Sequence, residues 1–217
     1  MLELARVDVS ISGVRILREV SFTLTLGSTV ALIGRNGAGK TTTLRSVMGL
    51  IASDGVIRMN GQDLADVRAS GRAGLGIGYA PEDRRLFSAF TVEENVLMPG
   101  QVAGMLPDQL AARRDRVYEI LPELRELAPR PAGSVSGGQG KMVALGRALM
   151  IGSKLIMLDE PFQGLAPALA QRYAEALHRL RTFDRDVTLL ITESNPTLLK
   201  NLAERTLIIE RGEIQDR

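Results

Sequence analysis

The sequence predicts an α/β fold built on a parallel sheet, and three observations carry that expectation. Apolar strand segments alternate with helical ones at both ends of the chain, the pattern of strands joined by helical crossovers. One segment, "KLIML" at 154–158, is continuously apolar after its lysine, as strands buried on both faces are. A glycine-rich run from Gly34 to Thr42 lies between a strand and a helix. At 217 residues the chain is long enough for one domain, or for one domain carrying an insertion.

Taken in order, "LELARVDVSI", "ILREVSFTL" and "TVALIG" read as strands, with Gly13 and Gly27 at the turns. "TTTLRSVMGL" has helical spacing, "GVIRMNGQDL" reads as a hairpin around Asn60-Gly61, and "GIGYAP" is a short strand. From about residue 84 to 150 the character becomes helical. "PDQLAARRDRVYEI" starts on Pro107-Asp108 and repeats apolar residues at Leu110, Val117, Ile120 and Leu121, and Pro122 restarts a short helix. After "KLIML" come the helix "ALAQRYAEALHRLRTF", the strand "DVTLLI", a helix-like "PTLLKNLAER" and a final strand pair, "TLIIERGEI". The expected organisation is a single domain over 1–217, with its core in 1–83 and 151–217 and a helical subdomain over about 84–150.

Composition narrows the partners. A net charge of +2 is too small to argue for nucleic acid. With no cysteine, disulfide and thiolate chemistry are excluded. The opening "MLELARVDVS" lacks the apolar core of a signal peptide. No apolar run approaches the roughly 18 residues of a membrane span, so membrane association is expected only through a partner.

"GRNGAGKTT", comprising Gly34, Arg35, Asn36, Gly37, Ala38, Gly39, Lys40, Thr41 and Thr42, fits G-x-x-x-x-G-K-[ST]. Small residues let successive backbone N–H groups curl around phosphate oxygens at the positive end of a helix. Lys40 is placed to put a cation between phosphates, and the Thr41 hydroxyl to ligate Mg²⁺. The bland alternative, a strand–helix turn with a chance Lys-Thr, is weak in a chain with only four lysines. Asp159 and Glu160 leave the end of the apolar strand, at the edge where parallel sheets bind ligands. We assign Asp159 to the metal and Glu160 to the attacking water as general base. A lone Asp-Glu would be read as a solvated loop; beside a phosphate loop it is not. A second helix N-terminus suited to anions follows Ser136, Gly137 and Gly138. Two such sites suggest that two copies of the chain share each nucleotide.

In order and spacing, "GRNGAGKTT", "SGGQ", "LDEP" and the Pro-Glu after "GYA" resemble the ATP-binding-cassette (ABC) ATPases over essentially the whole chain. "VSGGQGKMVALGRALM", "DEPFQGLAP" and "APEDRRLFSAFTVEENVLM" look most like the ATPase subunits of branched-chain amino-acid and urea importers. The resemblance implies a P-loop NTPase fold, with a RecA-like parallel-sheet core, an N-terminal antiparallel β subdomain and a helical insertion. It implies Mg-ATP as ligand and a head-to-tail homodimer, or a heterodimer with a second ABC ATPase. In that dimer Ser136, Gly137, Gly138 and Gln139 of one subunit close over ATP held by Gly34–Thr42 of the other. Transmembrane permease subunits would be gripped by the helical insertion, which places the chain on the cytoplasmic, inner face of the cell membrane.

Three positions depart from the general family pattern. The aromatic residue that stacks on adenine is replaced by Ile11 or Ser10, which lack a π-surface. The glutamine that touches Mg²⁺ is Glu82, as it often is in the amino-acid importer branch. The histidine that contacts the γ-phosphate is Ser194, in "ITESN", where the importer branch commonly has glutamine. That turn either supplies a hydroxyl to the reaction or only shapes backbone. The chain's sole histidine, His178, falls mid-helix and reads as a surface residue. The expected function is ATP hydrolysis driving an importer of branched-chain amino acids or a related small polar solute. The rivals are a nucleotide-gated dimerisation module with little hydrolysis, and a soluble cassette acting on nucleic acid or ribosomes. The second is disfavoured by the single cassette, the absence of a basic tail and the near-neutral charge.

Overall fold

A computed structural model describes residues 1–216. The N-terminal half contains β1 (Leu2–Ile11), β2 (Val14–Leu24), β3 (Thr29–Ile33), α1 (Lys40–Val47), β4 (Asp54–Met59), β5 (Gln62–Asp63), α2 (Ala69–Arg72) and β6 (Ile77–Ala80). Four helices follow: α3 (Val92–Val102), α4 (Pro107–Ile120), α5 (Glu123–Leu127) and α6 (Gly137–Ile151). The chain ends with β7 (Leu155–Asp159), α7 (Pro167–Phe183), β8 (Thr188–Glu193), β9 (Arg205–Glu210) and β10 (Glu213–Asp216).

Two sheets result. One is antiparallel, in the order β2-β1-β4-β5; the other runs β10-β9-β3-β8-β7-β6. In the second, β9, β3, β8, β7 and β6 are parallel and only β10 is antiparallel. This is the RecA-like P-loop NTPase arrangement, with an N-terminal antiparallel sheet and a helical insertion.

The alternation of strand side chains divides the core in two. In β7, Leu155 and Met157 face the cluster shared with α1 and the antiparallel sheet. Ile156 and Leu158 face the cluster built by α3 to α7. Every residue of β7 is buried, which explains its unbroken apolar run. Helix α6 lies directly on β6, where Gly78 passes the Ala148 carbonyl too closely for any Cβ. Asn60 (φ 52°) and Gly61 (φ 83°) both take left-handed backbone between β4 and β5, the two-residue hairpin turn that Asn-Gly favours.

One expected element does not form as read. "PTLLKNLAER" is a short 3₁₀ turn, Pro196–Leu199, followed by irregular chain. The segment 194–204 has to return from the C-terminal end of β8 to the start of β9, on the far side of β3. A 3₁₀ turn rises about 2.0 Å per residue against 1.5 Å in an α-helix, so it spans that distance with fewer residues. Among the described residues no helix is long and apolar enough to cross a membrane.

Candidate active site

The C-terminal ends of β3, β7 and β8 converge on one cleft. Between β3 and α1 the run from Gly34 to Thr42 wraps tightly, with Gly37 at φ 80° and Gly39 at φ 114°. A Cβ on Gly39 would stand 2.7 Å from a Leu17 methyl, so the position requires glycine for both conformation and space. Helix α1 has no side-chain cap and no acid in its first turn. Its leading N–H groups are therefore available to an anion. A cleft of about 420 Å³ opens above it, within the range of small-molecule sites. Asn36, Gly37, Gly39, Lys40, Thr41 and Thr42 line its floor. Ile11, Glu82 and Glu160 close its edges.

Lys40 is almost fully buried, and its ammonium is surrounded by oxygen. It donates to the carbonyls of Gly34 (2.7 Å) and Arg35 (3.1 Å) and to Ser194 Oγ (3.2 Å), and it pairs with Glu160 Oε1 at 2.9 Å. One cation therefore serves the loop and the carboxylate together. The Ser194 hydroxyl lies 2.8 Å from Asn36 Oδ1 and 3.2 Å from Glu160 Oε1. Serine thus reaches the site directly. Glu160 Oε2 is buried and has no hydrogen-bond partner among the described residues. A buried acceptor with no protein partner is unusual in a core, and at this place it suits a group that takes a proton from water.

Asp159 is held by three hydroxyls. Its Oδ1 accepts from Thr41 Oγ1 (3.0 Å) and Thr192 Oγ1 (2.9 Å), and its Oδ2 from Tyr79 (3.1 Å). Burial raises its pKa, and these three bonds oppose the rise. The Thr41 hydroxyl and Asp159 carboxylate, 3.0 Å apart, form a hard oxygen pair. With nucleotide phosphates, such a pair fits Mg²⁺, which takes one or two protein oxygens beside phosphates and water.

Ser136 caps α6, accepting from the Gln139 N–H at 3.2 Å, while Gln139 Oε1 accepts from the Ser136 N–H at 2.9 Å. Neither these residues nor Gly137 and Gly138 line this cleft; Gln139 opens onto a separate recess beside Leu169 and Arg172. Within one chain the two anion-suited helix ends do not line the same cleft. His178 is exposed on α7, away from the cleft.

Several residues were missed by the sequence reading. Ile16 and Gln163 line the cleft. Glu193, the middle residue of "ITESN", is buried, and its Oε1 accepts from the Phe162 N–H at 2.8 Å, tying the loop after Glu160 to β8. Burial pushes its pKa up to about 7. An acid immediately after an apolar strand was the available signal, and for Asp159 the same signal was taken. Tyr79 carried none, because a lone tyrosine on a short strand is ordinary core.

A strand–loop–helix phosphate cradle, a hydroxyl–carboxylate pair and a buried carboxylate at one sheet edge define a mononucleotide-hydrolysing P-loop enzyme. Residues 17–163 match the family model for ABC transporters. The chain belongs to the ABC transporter family, as one of its ATP-binding and ATP-hydrolysing cassette subunits. It is 39% identical over 215 residues to the high-affinity branched-chain amino acid transport ATP-binding protein BraG of Pseudomonas aeruginosa, covering 99% of this chain and 91% of that one. It is 34% identical over 207 residues to the lipopolysaccharide export system ATP-binding protein LptB of Escherichia coli, covering 93% and 83%. The crystal structure of an ABC transporter's ATP-binding cassette in its ADP conformation superimposes with a TM-score of 0.85 at 26% identity, covering 99% of this chain and 89% of that one.

Proposed function

We propose that this subunit hydrolyses Mg-ATP through Glu160 to drive an importer of branched-chain amino acids or a related small polar solute. The observation that carries the hydrolytic reading is the Glu160 carboxylate. One oxygen is fixed by Lys40 and the other is buried without a partner. In this reading Gly34–Thr42 hold the phosphates, with Lys40 neutralising their charge. Thr41 and Asp159, with Glu82 at the cleft edge, hold Mg²⁺, whose charge would stabilise the leaving phosphate. Ile11 packs on the base. Glu160 takes the proton of the attacking water, and Ser194 steadies that carboxylate and Lys40. Ser136, Gly137, Gly138 and Gln139 close over the nucleotide of a second copy, or of a second ABC ATPase. That none of them lines this chain's own cleft supports that arrangement.

An apolar recess beside β6 supports a permease partner. Met48, Ile77 and Ile151 form its floor, and Arg45, Arg85 and Arg147 ring it. Exposed Phe87 and Phe90 stack nearby with centroids 5.7 Å apart. This surface fits a short permease helix with an apolar face and carboxylates at its rim, holding the subunit on the inner membrane face. The substrate class rests on the likeness to BraG. The test is purification from membranes with the permease subunits retained, followed by ATP turnover in proteoliposomes with their solute-binding protein. Stimulation by leucine, isoleucine or valine is expected. Stimulation only by a lipid substrate, or recovery of no permease, would redirect the substrate assignment and leave the ATPase intact.

A further inference from the structure

Glu160 is gripped from several sides, and one grip comes from a lysine that the catalytic reading leaves unused. Its backbone sits at φ 45°, left-handed geometry that residues other than glycine rarely adopt. On one side its N–H is bound by the Thr192 carbonyl and hydroxyl, both at 3.1 Å. On the other side its carbonyl accepts from Lys141 Nζ at 2.6 Å and, less closely, from the Gln163 N–H at 3.3 Å. Lys141 lies on α6, little more than a turn beyond the Ser136–Gln139 cap. It is only partly exposed, and burial lowers the pKa of its ammonium while Glu193, Glu82 and Glu160 work against that fall.

An unusual backbone conformation persists only where its surroundings fix it. Without the lysine, the peptide plane that follows Glu160 is held only by the Gln163 N–H, a long bond to the same carbonyl at 3.3 Å. With the lysine both planes are fixed, so the side chain leaves the turn in one direction, toward Lys40. We propose that Lys141 is a positioning residue for hydrolysis. Its ammonium pins the Glu160 carbonyl and so aims the carboxylate. It also ties the base to the helix whose N-terminus would meet the partner's nucleotide. A charge buried only to complement nearby carboxylates would point at a carboxylate oxygen; this one bonds a main-chain carbonyl instead.

The inference rests on Glu160 being the base, so the experiment measures Glu160→Gln beside Lys141→Met and Lys141→Arg in the full chain. Steady-state kcat and KM for ATP, ATP affinity and thermal unfolding are read for each. A misplacement of about 1 Å at a reacting group costs up to about a hundredfold in rate. Folded Lys141→Met is therefore expected to lose about tenfold or more in kcat, with KM and ATP affinity within about threefold. Lys141→Arg, which keeps a charged donor, is expected to recover most of that loss. If Lys141→Met does not fold, Lys141→Gln, too short to reach the carbonyl, is read against the same limits. A folded variant with kcat within about threefold of the parent, a KM that rises as kcat falls, or an arginine variant as slow as methionine overturns the proposal. An inactive Glu160→Gln beside unimpaired Lys141→Met overturns the role of Lys141 alone. A fully active Glu160→Gln overturns the base assignment, and this inference with it.

Discussion

Ser194, the position that the resemblance aligns with a histidine of the family pattern, has a hydroxyl that contacts Lys40, Asn36 and Glu160 at once. It is nonetheless exposed, and Lys40 and Glu160 keep their own 2.9 Å pair without it. A hydrogen bond to a charged group contributes about 1.5–3 kcal/mol when buried and less when wet. Ser194→Ala should therefore lower kcat by about three- to tenfold, well short of the effect of Glu160→Gln. Loss of all turnover in Ser194→Ala would make serine the histidine's full equivalent. Its neighbour Glu193 makes a different prediction. Burial raises its pKa from 4.5 to about 7, so between those values the folded chain holds a proton that the unfolded chain has shed. Stability from this group is thus complete below about pH 4.5 and is lost as pH rises through about 7, by on the order of 3 kcal/mol. Glu193→Gln keeps an acceptor for the Phe162 N–H and removes the titration. Denaturant unfolding at pH 5 and pH 8 should show a smaller difference for this variant than for the parent. An unchanged difference would place the titration elsewhere.

At the scale of elements, the end of β1 and the start of β2 carry the base-recognition prediction. Ile11 and Ile16 are the apolar side chains lining the cleft, and neither offers a ring for stacking or a hydrogen bond to a purine edge. ATP and GTP should therefore bind within about tenfold of each other, or 1.4 kcal/mol, by direct titration. A hundredfold preference for ATP would assign base reading to another residue. Elements were legible where local chemistry agreed with the final packing. Asn60-Gly61 fixed a hairpin by dihedral preference alone, Pro107 opened α4 where helix starts tolerate proline, and Ser136 capped α6. "PTLLKNLAER" was misread because its apolar spacing is helical, while the distance between β8 and β9 across β3 is set by sheet order. The main-chain bond from Lys141 to Glu160 was illegible for a similar reason. It joins residues 19 apart in sequence, and no local pattern announces it.

For the whole molecule, the Gly34–Thr42 loop and the Asp159-Glu160 pair stand out in the sequence because each is contiguous. Their meeting across β3, β7 and β8 follows from parallel strand order, which brings their C-terminal ends to one edge. What one chain does not supply among its described residues is a second donor set over the cleft, since Ser136 to Gln139 do not line it and Gln139 opens onto a separate recess. The central claim is that Glu160 serves as base in a site completed by a second cassette. Size-exclusion chromatography of Glu160→Gln with ATP and Mg²⁺, with phosphate release measured on the same sample, tests it most directly. The amide keeps the shape of the side chain but accepts no proton, so ATP stays whole and the shared site stays closed. We predict a dimer with no turnover; a monomer that hydrolyses ATP at the parent rate would contradict both the base and the composite site.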